Sequence, residues 1–69
     1  MSWANISGQR TKDLYRHLRR YRKLIEHKLM VQAKHSPGTP YHTRATREIE
    51  TYRENIAILE NELSKRSLP

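Results

Sequence analysis

Four histidines and a row of carboxylates are the residues whose types could do chemistry. His17, His27, His35 and His42 can bind a metal or move a proton. Their spacing does not favour either role. His17 and His27 lie ten apart, on different faces of a helix, and no two histidines form an i,i+4 pair. A metal would need His35 and His42 to meet across a turn with a third ligand, so no metal site and four exposed, idle histidines are expected. Glu48, Glu50, Glu54, Glu60 and Glu62 are interleaved with Arg44, Arg47, Arg53, Lys65 and Arg66, a pattern that ordinary surface pairing on a helix explains. There is no glycine-rich phosphate loop and no nucleophile beside a base. No catalytic residue is assigned, and an enzyme is not expected.

The charge is more informative than any single group. The chain has 69 residues with fourteen Lys and Arg, seven Asp and Glu, and a net charge of +7. Residues 1–9 carry no charged side chain. Residues 10–34 carry nine basic groups (Arg10, Lys12, Arg16, Arg19, Arg20, Arg22, Lys23, Lys28, Lys34) and two acidic ones (Asp13, Glu26). The remainder is balanced at five of each, so the whole net charge sits on the first half. Such a stripe attracts nucleic acid, an anionic membrane or an acidic protein. Like charges at i,i+4 repel by a few tenths of a kcal/mol per pair, a standing cost that a partner would relieve.

The elements that must position these groups are legible. Ser36-Pro37-Gly38-Thr39-Pro40 breaks any helix and makes a turn. Before it, Leu14, Leu18, Tyr21, Ile25 and Leu29 form one helical stripe, widened by Leu24, Met30 and Val31. After it, Ala45, Ile49, Tyr52, Ile56, Leu59 and Leu63 repeat nearly as a heptad seam, with Ala57 and Ile58 beside it. Ser7 or Thr11 could cap the first helix, and Thr39 or Thr43 the second.

The expected organisation is one all-α domain, an antiparallel helical hairpin that could complete a larger bundle with a partner. A tail (1–9) precedes a basic helix (10–34), a turn (35–40), a second helix (41–66) and a short tail (67–69). Without cysteine no disulfide staples the fold, and a chain this short buries a limited core. That favours order gained from a partner or from self-association. There is no run of about 18 apolar residues, so no transmembrane segment is expected.

Leu14-Tyr15-Arg16, followed by His17-Leu18-Arg19-Arg20, resembles the opening of the mitochondrial LYR-motif (complex I LYR) superfamily. In that family the first helix begins with L-Y-R, then a Leu and a further basic residue. The block Tyr41–Asn55 is similar to the family's second helix, with Tyr52-Arg53 where Phe-Arg usually stands. The two blocks cover about half the chain. The family is usually a three-helix bundle with a Phe; here two helices are legible, Phe is absent, and Ile49 is followed by Glu50 rather than Arg.

The resemblance implies a small adaptor or accessory subunit that binds the mitochondrial acyl carrier protein. It would support a respiratory complex, ATP synthase, the iron–sulfur machinery or the mitoribosome. Tyr15 and Arg16 would contact the carrier, Arg19, Arg20 and Lys23 would add electrostatic attraction, Leu14 and Leu18 would belong to the apolar lining, and Tyr52 and Arg53, where Phe-Arg usually stands, would join the partner-binding residues. The chain would have no cofactor of its own; the carrier's acyl-phosphopantetheine could enter. The implied place is the mitochondrial matrix or the matrix face of the inner membrane. Residues 1–9 hold no Arg, so an uncleaved import signal within the acid-poor first helix is the expectation. Two other readings fit the residues: a dimeric basic hairpin that binds RNA along its Arg-rich helix, and a structural subunit filling a groove in a larger assembly.

Overall fold

The structure, a computed structural model, describes Trp3 and residues 5–67. Two helices, α1 (Thr11–Lys34) and α2 (Pro40–Ser67), pack along their length as an antiparallel hairpin. Its extents are 47 × 19 × 16 Å. The described residues contain no strand.

The turn forms for local reasons. Pro37 disfavours a helical Ser36, and His35 leaves α1 in an extended conformation. Gly38 takes φ +91°, a region costly for any residue with a Cβ. Thr39 then caps α2. Its hydroxyl accepts from the His42 N–H at 3.3 Å and donates to the Ser36 carbonyl at 2.8 Å. Pro40 occupies the first helical position, where its missing N–H costs nothing. Of the two candidate caps, Thr39 is therefore the one used. At α1 neither Ser7 nor Thr11 caps the helix. Arg10 holds the N-cap position with no side-chain bond, and Asp13 supplies negative charge to the first turn.

The core is the seam. Leu14, Leu18, Tyr21, Leu59 and Leu63 form one buried cluster, and Ala45 and Ile49 are buried further along α2. Leu14 and Leu59 are fully buried, each worth about 1.5–3 kcal/mol of transfer free energy. The Tyr21 and Tyr52 rings meet at 5.7 Å between the helices. Toward the turn the seam becomes polar. Lys28 Nζ pairs with Glu48 Oε2 at 2.6 Å, and Gln32 Nε2 donates to Thr46 Oγ1 at 2.7 Å. Leu29, expected in the stripe, is instead 41% exposed, as are Met30 and Ile58 in good part. The contact line on α1 runs 14, 18, 21, 25, 28, 32 in alternating steps of four and three. Leu29 falls one place outside that line.

The described part of the N-terminal segment, expected as a tail, is packed on the hairpin. Ile6–Gly8 forms a 3-10 turn, and Trp3 and Ile6 pack on the core cluster. The Trp3 indole N–H donates to Asn55 Oδ1 at 2.7 Å. Arg66 clasps this strap to α2. Its guanidinium donates to the carbonyls of Ile6, Ser7 and Gln9 and to the Thr11 hydroxyl, while Glu62 pairs with its Nε at 3.3 Å. At the other end α2 continues through Ser67, one residue past the expected boundary; residues 68 and 69 of the expected tail lie outside the described residues.

Candidate docking surface

The seam residues of α1 turn inward, so its charged positions turn outward. Arg16, Arg19, Arg20 and Lys23 occur at steps of three, one and three, which places them on one side of the helix. Together they line a shallow depression that α1 forms alone. All four are exposed. Among the described residues none of them forms an ion pair; the cations that do are Lys28 and Arg66, both half-buried and elsewhere. Four unneutralised charges within two turns present a ready site for carboxylates or phosphates.

Tyr15 stands at the edge of this stripe, 54% exposed. It shares a second depression with Lys12, Leu18, Arg19 and Arg22. A third lies in the groove between the helices, lined by Tyr15, Leu18, Arg22, Glu60, Leu63 and Ser64.

The residues singled out from the sequence thus do not share one site. Arg16, Arg19, Arg20 and Lys23 come together on the outer face of α1, with Tyr15 at the edge toward the groove between the helices. Leu14 faces α2 and is fully buried, so it holds the hairpin together rather than lining an open site. Leu18 is also in the seam and supplies only the floor of the two depressions beside Tyr15. Tyr52 is half-buried against Tyr21, and Arg53 is exposed on α2, apart from the depression that α1 lines.

Two of the histidines are not idle. His17 meets the Trp3 ring edge-on at 5.8 Å, and His35 stacks on Tyr41 at 4.8 Å. The described residues hold no group of three or more His, Asp or Glu placed to bind a metal. No helix among them is long and apolar enough to cross a membrane. Burial raises the pKa of Tyr21 above its ordinary value of 10.0, partly opposed by the nearby positive charge of Arg20 and reinforced by Tyr52.

Sequence reasoning missed Trp3, Asn55 and Arg66. A signal for Arg66 was present. After Leu59 and Leu63, the next seam position in the alternating pattern is 66, so this arginine is placed to point toward α1 and not to solvent. The strap is too short for a periodic pattern, though its lack of charge and its single Trp mark it as a segment able to be covered. Compared with protein-family models, curated proteins and solved structures, the chain matches none of them.

Proposed function

We propose that this protein is a basic helical-hairpin adaptor that docks an acidic protein surface on the outer face of α1. The observation that supports it is the depression lined by Arg16, Arg19, Arg20 and Lys23, four cations with no acidic partner among the described residues. An acidic helix laid along it would remove their mutual repulsion and gain charge-assisted hydrogen bonds. The resemblance of Leu14-Tyr15-Arg16 and Tyr52-Arg53 to the LYR superfamily makes an acyl carrier protein the first partner to test. On this reading the chain serves as an accessory subunit or assembly factor of a mitochondrial complex in the matrix. Any acyl-phosphopantetheine belongs to the carrier.

The test is co-purification with acyl carrier protein. Arg16→Ala with Arg20→Ala should lower affinity by roughly ten- to a hundredfold, since charge-assisted hydrogen bonds are worth about 1.5–3 kcal/mol. Arg44→Ala with Arg47→Ala, which removes the same charge from α2, should cost little. Equal losses from both pairs would reduce the contact to diffuse attraction and defeat the reading.

One observation favours a second reading. Tyr15 is an exposed ring set among Lys12, Arg19 and Arg22, an arrangement suited to stacking an unpaired RNA base between phosphate contacts. Tight binding of single-stranded RNA that Tyr15→Ala abolishes, with no capture of the carrier, would favour it.

A further inference from the structure

The hairpin has two flanks, and the described residues cover only one. Trp3 lies against His17, Tyr21 and Asn55, so the strap closes the flank on the His17 side of α1. Tyr15 lies on the other side of the Leu14–Leu18 line, as Glu60 lies on the other side of the Leu59–Leu63 line from Glu62. The groove of Tyr15, Leu18, Arg22, Glu60, Leu63 and Ser64 therefore runs along the uncovered flank. The line continues from Tyr15 by sevens through Arg22 to Leu29, and both apolar members, Tyr15 and Leu29, are exposed. Such a strip beside a seam is what a further helical layer covers.

We infer that the occupant of this flank is a second copy of the same chain, packed so that α1 of each copy lies over α2 of the other. The rims of the groove decide both the occupant and the orientation. Of the charged groups that line the groove, Arg22 stands on the α1 side and Glu60 on the α2 side. Among the described residues neither Arg22 nor Glu60 forms an ion pair. Rotation by half a turn about the long axis of the hairpin brings Glu60 of each copy toward Arg22 of the other, giving the same contact twice, as a two-fold interface requires. The alternative, α1 over α1, would set two helices of high positive charge face to face. The exposed Ala33 and Ala57 lie toward this flank and add no bulk to a close approach. The product is a four-helix bundle whose two arginine stripes remain on the outside.

The inference does not depend on the identity of the acidic partner, and salt separates the two. Each copy carries +7, so screening strengthens self-association, whereas it weakens capture of an acidic partner. Sedimentation equilibrium of the full chain should show a dimer that tightens with added salt. Arg22→Glu alone and Glu60→Arg alone should each weaken it by about tenfold or more, because both symmetric contacts turn from attraction to repulsion. The two variants mixed should associate with each other nearly as tightly as wild type, since each then meets its opposite charge in both contacts. A contact within one chain could not be rescued by mixing. Circular dichroism of each variant alone checks that the helices persist. A wild-type chain that stays monomeric at high salt and high concentration overturns the inference, as does a dimer indifferent to both variants or a mixture that stays dissociated.

Discussion

Arg66 Nη1 donates to the carbonyl oxygen of Gln9 at 2.6 Å, across 57 positions of sequence. The same guanidinium reaches the carbonyls of Ile6 and Ser7 and the hydroxyl of Thr11. These carbonyls belong to a 3-10 turn and the extended link after it. One planar, permanently charged fork thus reaches the Ser7 and Gln9 carbonyls and adds a second bond to the Ile6 carbonyl, which also accepts from the Gln9 N–H, and Glu62 keeps it in place.

Arg66→Ala should therefore release the strap before it unfolds the hairpin. Trp3 would lose its shelter beside Tyr21, so its fluorescence should shift to the red and become more accessible to a quencher. Helical content should change little, and the melting temperature should drop. Arg66→Lys should behave more like Ala than like Arg, because an ammonium cannot span four separated oxygens. A Trp signal unchanged in Arg66→Ala would show that Ile6 and the Trp3–Asn55 bond hold the strap unaided.

The turn offers a second prediction. A Cβ on Gly38 would meet nothing within 4 Å, so a substitution there reports backbone strain without a clash. At φ +91° Gly38→Ala should lower stability by about 1–2 kcal/mol, and Gly38→Asn should cost less because Asn tolerates this region. Urea unfolding midpoints of the two variants give the comparison. Equal stability of Gly38→Ala and wild type would mean that the turn relaxes to another conformation at no cost.

Tyr21 supplies a pH dependence. Burial raises its folded pKa, while the unfolded chain titrates near the ordinary 10.0. Above that pH the unfolded state loses its proton first and is favoured. The contribution of Tyr21 is thus complete below pH 10.0 and is lost as the pH rises through the folded value. Urea unfolding at about pH 9 and about pH 11 should show a fall in stability that Tyr21→Phe reduces. An equal fall in the variant would show that Tyr21 is not its source.

Much of the hairpin was legible in the sequence because hydrophobic spacing and the Pro/Gly turn report directly on burial. Leu14, Leu18, Tyr21, Ala45, Ile49, Leu59 and Leu63 all lie where their spacing put them. Leu29 did not, because the contact line passes through Lys28 and Gln32, whose polar types conceal their seam position. The charged face of α1 was equally legible, since a concentration of cations outside the stripe has nowhere to go but the surface. What escaped was everything that depends on a single long-range pairing. Trp3 with Asn55, and Arg66 with the strap, have no local pattern, and an arginine surrounded by Glu62 and Lys65 looks like one more surface charge.

The polar layer formed by Lys28 with Glu48 and Gln32 with Thr46 has a consequence for how the helices find each other. A seam of aliphatic side chains alone could slide by one heptad and still bury comparable area. Here a slide of seven residues would set Lys28 against Tyr41 or Asn55 in place of Glu48, and Gln32 against Thr39 or Arg53 in place of Thr46. A buried or half-buried polar pair in a heptad seam penalises such misalignment more than it adds to cohesion. The layer beside the turn thus acts as an alignment key, setting the pairing frame at the end where the turn joins the two helices.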